Sequence, residues 1–330
     1  MRNRRFYIHN AVLSITSRTE KNLPFSACKL INEAIWGILA RAKSLYDISV
    51  CHFVFMPNHF HMLAVINSSE DTSSFIGYIK QETAAVINRI CGVRQNTIWT
   101  DSFDCAIVLT PDKVIDRIKY IYKNPAKAHL VKSISDYPGV SSWNMFKNGI
   151  NKTKHVWLKR SQFYRIENLH ALSESAQSKI IAKMTEDNPG YHTFELKPNA
   201  WLDCFSEFNN VDRDAFNKSL IKEILVEERE IVHEHGILGR ECLKTQPINK
   251  EFKSKKYGKK MFCMSSNIEL RIKYIALFRT VSKLAYDAYQ AIKQGICNVV
   301  FPPGTIMPGG RILQELSKMQ FYEQLGVCYT

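Results

Sequence analysis

ISVCHFVFMPNHFHMLAVIN, residues 48–67, is apolar almost throughout, yet it carries His52, His59 and His61. Pro57-Asn58 at its middle is turn chemistry, flanked by β-branched and aromatic residues. The stretch predicts two antiparallel strands, Ile48–Met56 and His59–Asn67, joined by a tight hairpin. Side chains alternate faces along a strand, so His59 and His61 point one way while Phe60 and Met62 point the other. Two imidazoles at this spacing can hold one divalent ion. Taken alone, the pair also fits two unrelated histidines near a turn. A two-residue turn sets His52 opposite Leu63, on the face of His61, where a third imidazole would favour zinc.

Outward from the hairpin, the first 150 residues alternate strand-like and helix-like stretches. Ala11–Arg18 is short and β-rich. Phe25–Tyr46 has helical periodicity, with Leu30, Ala34, Ile38 and Ala42 on one stripe. Thr72–Cys91 is a second helix with a Ser/Thr-rich start, and Phe103–Thr110 is a further strand. Pro111–Val131 begins with Thr110 at the cap position and Pro111 at the first helical position. Pro125 should end or bend that helix near Asn124. The order β-α-β-β-α-β plus one helix predicts an α+β, ferredoxin-like (split βαβ) domain with an antiparallel sheet. One face of such a sheet carries two helices, and the third helix is placed to cover the other.

That third helix separates two neighbouring tyrosines. At about 100° per residue, Val114, Ile115, Ile118, Ile121 and Tyr122 share a broad packing arc. Asp116, Tyr120 and Asn124, four apart, lie on the opposite side. Tyr122 is therefore structural. Tyr120 is either an ordinary surface residue or a functional group among Arg117, Lys119, Lys123 and Lys127.

The chain has 330 residues and a formal net charge of +14. An excess of this size favours polyanionic partners, nucleic acid first. The nine cysteines form no C-x-x-C pair, which argues against a zinc ribbon and a secreted disulfide framework. Reduced thiols in the cytoplasm fit best. No apolar run reaches the roughly 18 residues of a membrane span.

Here the residues resemble a known family. MPNHFHML (residues 56–63) resembles the His-hydrophobic-His motif of single-tyrosine HUH endonucleases. RIKYIYKNPAKAHLVKSISDYPGVSSW (117–143) resembles the tyrosine helix and following segment of REP-associated tyrosine transposases. INRICGVRQNTIWTDSFDCAIV (87–108) is similar to their helix-loop-strand. The likeness spans about residues 5–146. Ala126-Lys127 replace a usual Val-Arg, His129 stands where Gly is common, and Gly139 where Trp is common.

The resemblance implies a metal-dependent single-stranded DNA endonuclease and strand transferase. Tyr120 would be the nucleophile, leaving a 5′-phosphotyrosine and a free 3′-OH. His59, His61 and Asn124 would hold Mg²⁺ or Mn²⁺ against the scissile phosphate. The partner would be single-stranded DNA with hairpins, and the resemblance leaves a homodimer open. Lys119, Lys123 and Lys127 are candidates for the DNA backbone. The alternative is a non-cleaving single-stranded or hairpin nucleic-acid binding protein on the same fold.

Residues 151–330 read as a mostly helical second domain, with helical patterns around 173–184, 212–234 and 268–295. NKEFKSKKYGKK (249–260) is strongly basic. Its Lys255, Lys256, Lys259 and Lys260, with aromatics interleaved, are further candidates for DNA contact.

Overall fold

A computed structural model describes residues 10–20, 27–66, 69–93, 97–186, 190–234, 236–247, 261–296 and 298–305. The expected order is found in the first half. It runs β1 (Val12–Arg18), α1 (Lys29–Leu45), β2 (Ile48–Met56), β3 (His59–Ile66), α2 (Ser69–Cys91), β4 (Asp104–Val108) and α3 (Pro111–Lys127). These strands lie in the order β2-β3-β1-β4, all antiparallel. That is the ferredoxin-like split βαβ arrangement.

The hairpin has the predicted register. Met56 pairs with His59 across the Pro57-Asn58 turn, and a bulge between Val50 and His52 leaves His52 opposite Leu63. One face of the sheet packs on α1 and α2. Phe53 meets Trp36 of α1 edge-on at 5.6 Å, and Phe60 meets Trp99 at 5.6 Å. Trp99 Nε1 in turn donates to Thr83 Oγ1 of α2 at 2.9 Å. The other face packs on α3, whose Val114, Ile118, Ile121 and Tyr122 are fully buried. Each of the three aliphatic side chains contributes at most about 1.5–3 kcal/mol.

The ends of α3 have identifiable causes. Thr110 occupies the N-cap position without a side-chain cap. Its Oγ1 instead accepts from Ser266 N at 3.2 Å. Pro125 does not end the helix, which continues to Lys127. Its ring costs the helix one bond, the one to the Ile121 carbonyl, with only two helical residues still to follow. His129 then turns left-handed, φ +54°. His129 N bonds Ala126 O and Leu130 N bonds Pro125 O, closing a Schellman motif.

The second half adds α4 (Trp143–Lys147), β5 (Lys152–Trp157), α5 (Glu174–Thr185), β6 (Gly190–Glu195), α6 (Arg213–Arg229), α7 (Arg240–Lys244), β7 (Cys263–Met264) and α8 (Ile268–Lys293). It is mostly helical, as expected, with two additions. β7 joins the sheet edge parallel to β4. β5 and β6 form an antiparallel ribbon over α1, where His155 stacks on Trp36 at 4.7 Å. The approach is close: a Cβ on Gly37 of α1 would lie 2.1 Å from the Val156 carbonyl oxygen, so only glycine fits there. One apolar core runs from Ala11 to Tyr274. Among the described residues no helix is long and apolar enough to cross a membrane.

Candidate active site

Strand register builds one wall of the site. β1 pairs with β3 so that Thr16 lies opposite His61 and Arg18 opposite His59. Cross-strand partners share a face, and here that face is the one under α3. His61 is buried and His59 half-buried. Their rings meet edge-on, with centroids 4.7 Å apart.

Helix α3 brings Tyr120 to this wall. Its Oη lies 3.4 Å from His61 Nε2, and the two rings are 5.1 Å apart. Arg117, one turn earlier, sits between the elements. Its Nη2 donates to His61 Nδ1 at 2.9 Å and to Thr16 Oγ1 at 3.3 Å. Its guanidinium carbon lies 4.3 Å from the Tyr120 ring centroid. The polar strand and the polar helix stripe thus meet at His61, Tyr120 and Arg117.

The local electrostatics keep both histidines neutral. Burial, with the charges of Arg18 and Arg117, lowers His59 to about 4. Burial first, then His59, Arg117 and Arg18, holds His61 well below the usual imidazole range. Neutral imidazole is the form that ligates a metal. His59 Nδ1 lies 2.7 Å from Asn58 Oδ1. That oxygen accepts from Nδ1–H and leaves the Nε2 lone pair open. Thr16 Oγ1, 2.7 Å from His61 Nδ1, can hold the second ring the same way. Arg117 competes for that Nδ1. A guanidinium only donates, so while it is engaged the His61 proton sits on Nε2, facing Tyr120.

The donor set fits a divalent ion when Arg117 releases His61 Nδ1: His59 already presents its Nε2 lone pair, and Thr16 Oγ1 can then accept from His61 Nδ1–H and free the second Nε2. Among the described residues no three His, Cys, Asp or Glu side chains cluster for a metal. Asn124 lies one turn beyond Tyr120, on the same flank of α3 as Arg117 by helical rotation. It is buried, and its Nδ2 has no hydrogen-bond partner. His52 is not available as a third imidazole. Its Nδ1 meets Tyr122 Oη at 2.7 Å and its Nε2 meets the Pro198 carbonyl at 3.2 Å. The register places it on the predicted face, but both nitrogens are engaged in the core.

The candidate DNA-binding lysines divide into three groups. Lys119 Nζ pairs with Glu223 at 2.8 Å and Glu227 at 2.7 Å, both on α6. Lys123 also pairs with Glu227. Lys127 is exposed. Lys255, Lys256, Lys259 and Lys260 lie outside the described residues. Thr16 and Arg18 carry no signal in the sequence, because a polar residue in a short strand says nothing about a site until its register to β3 is known. Arg117 was visible as a neighbour of Tyr120, but its reach to His61 was not.

Residues 25–124 match the family described as Transposase IS200 like. No curated protein matches the chain. Among solved structures, one titled as a REP-associated tyrosine transposase bound to a REP hairpin aligns at 22% identity. The alignment covers 45% of this chain and 86% of that one, with a TM-score of 0.38.

Proposed function

From the match of residues 25–124 to the IS200-like transposase family, we propose that this chain cuts and rejoins single-stranded DNA through Tyr120. The observation that carries the reading is the approach of Tyr120 Oη to His61 Nε2 at 3.4 Å. It joins the one tyrosine on the polar stripe of α3 to the histidine pair of β3.

In the proposed step Tyr120 Oη attacks a backbone phosphorus. The bond from phosphorus to the 3′ oxygen breaks, the phenolic proton is lost, and the departing oxygen takes up a proton. The products are a 5′-phosphotyrosine and a free 3′-OH. Attack by another 3′-OH reverses the step and rejoins ends. A divalent ion, Mg²⁺ or Mn²⁺, held by His59 and His61 with Asn124 beside them, would supply Lewis-acid polarisation of the phosphate. Arg117 would offer positive charge to the phosphate and to the phenolate as it develops. Tyr122 takes no part, because its hydroxyl is buried between His52 and Ser142.

The test is covalent capture. The protein is incubated with labelled single-stranded oligonucleotides that carry hairpins, with Mn²⁺ or Mg²⁺, and resolved under denaturing conditions. A protein–DNA adduct is expected from wild type and not from Tyr120→Phe. Equal adduct from both would defeat the assignment of the nucleophile. Tight binding without adduct across a broad oligonucleotide set would instead favour a non-cleaving binding protein on this fold.

A further inference from the structure

Two lysines flank Tyr120 on α3, and both are already engaged by carboxylates from α6. Lys119 bridges Glu223 and Glu227, and Lys123 meets Glu227. The lysine side chains are only 18% and 13% exposed, while Glu223 is 50% and Glu227 32% exposed. The helix that delivers the acids is fixed. Ile224 and Leu220 are buried in the core. Glu228 accepts from Ser133 Oγ and Ile134 N at 2.8 Å each, just past the end of α3. So α6 cannot leave cheaply, but its outer carboxylates can swing into solvent.

The placement also has a direction. By helical rotation Lys119 and Lys123 lie on one flank of Tyr120, and Arg117 and Asn124 on the other. His61 and Arg117 therefore line one side of the nucleophile and the α6 carboxylates the opposite side. α6 lies wholly outside the segment that matches the transposase family, residues 25–124.

We infer that Glu223 and Glu227 are specificity-determining residues, anionic stand-ins for two backbone phosphates at the lysine pair beside Tyr120. A polyanion reaches this flank only by exchanging its phosphates for these carboxylates. The exchange releases fewer counterions than docking on free lysines. It weakens binding of arbitrary strands and favours one that makes compensating contacts elsewhere. The partner is a single-stranded nucleic-acid backbone, so the inference rests on the reading of Tyr120 above.

The experiment uses the full chain with Glu223→Gln/Glu227→Gln, which keeps shape and hydrogen-bonding capacity. Binding of a labelled single strand of mixed sequence is followed by anisotropy across a salt series. The variant is expected to bind about fivefold tighter, the scale of two removed surface charges. Its log–log salt slope should steepen by about 1.4, roughly 0.7 for each of two newly contacted phosphates. In a Lys119→Gln/Lys123→Gln background the same glutamate changes should have no effect. Unchanged affinity and slope, weaker binding by a variant that still melts cooperatively, or a gain that survives in the lysine-free background would each overturn the inference. If the double variant does not fold, Glu227→Gln alone frees Lys123 while Lys119 keeps Glu223; it should give about half the change in slope, and no change would overturn the inference. Adduct formation by the same proteins separates the two readings. Tighter binding without any adduct defeats the Tyr120 chemistry alone, and adduct without a binding change defeats the phosphate exchange alone.

Discussion

The guanidinium carbon of Arg117 lies 4.3 Å from the centroid of the Tyr120 ring. A cation over an aromatic face gains more as the ring becomes a phenolate. The same group reaches His61 Nδ1, so it touches both the proposed nucleophile and the proposed metal-holding residue. Arg117→Ala should slow adduct formation about 100-fold, the scale of losing one preorganised charge donor. Arg117→Lys should recover little, because it lacks the planar fork that spans ring, imidazole and hydroxyl. A time course of adduct on a denaturing gel measures this. A rate unaltered in Arg117→Ala would remove the residue from the chemistry.

His59 and His61 are neutral and close together, with Asn58 at the Nδ1 of one and both Thr16 and Arg117 at the Nδ1 of the other. Titration of Mn²⁺ into the protein without DNA, followed by electron paramagnetic resonance, should show one site in wild type. That site should be lost in His59→Ala and in His61→Ala. Their melting curves should stay cooperative, since neither ring anchors the α1–α2 side of the core. Binding that persists in both variants would place the ion elsewhere.

The parts of the site that were legible from sequence rest on local periodicity. Pro57-Asn58 and the alternating residues around it set the β2–β3 register. The 3.6-residue period of α3 separated Tyr122, fully buried, from Tyr120, partly exposed. The parts that were not legible depend on distant pairings. Thr16 becomes a neighbour of His61 only through the β1–β3 register. His52 is taken from the site by Tyr122 and by the Pro198 carbonyl, 146 residues away. Lys119 and Lys123 read as free cations because the α6 carboxylates that meet them lie about a hundred residues on. The β5–β6 ribbon was hidden because its α1-facing residues include Thr153 and His155, which weaken an apolar alternation.

Arg160 pins the segment after β5 to α2 by a forked contact with Glu82. Its Nε lies 3.1 and 3.0 Å from the two carboxylate oxygens, and Nη2 lies 2.6 Å from Oε1. Glu82 is 7% exposed, so Arg160→Ala strands a carboxylate in the core. Removing one partner of a fully buried pair costs about 3–5 kcal/mol. Arg160 is itself 40% exposed, and solvent screening reduces the expected loss to about 2 kcal/mol. Urea unfolding should show it, with adduct yield unchanged below the transition. An unchanged midpoint would mean that Glu82 finds water or another donor.

Tyr122→Phe should separate structure from chemistry. The Pro198 carbonyl accepts from His52 Nε2–H, so His52 Nδ1 must accept the Tyr122 hydroxyl proton. Removing that hydroxyl leaves a buried imidazole nitrogen unpaired, at a cost of about 1–3 kcal/mol. The melting temperature should fall, while the adduct at low temperature keeps wild-type yield. Loss of adduct in a protein that is still folded would mean that the two tyrosines share a role.

The same network makes the fold acid-sensitive through His52. Burial lowers its folded pKa to about 3, against about 6.5 in an unfolded chain. Between these values the unfolded chain binds a proton that the folded chain refuses. Stability from this residue is therefore complete above about pH 6.5, falls as the pH drops, and stops falling only below about pH 3. At pH 5 the loss is about 2 kcal/mol relative to neutral pH. His52→Gln can still accept from Tyr122 and donate to the Pro198 carbonyl, but it does not titrate. Denaturant unfolding of both proteins at pH 7.5 and pH 5 isolates the effect from other carboxylates and histidines. The stability of wild type relative to His52→Gln should decline by about 2 kcal/mol between the two conditions. The same difference at both pH values would show that His52 takes up its proton without unfolding the core.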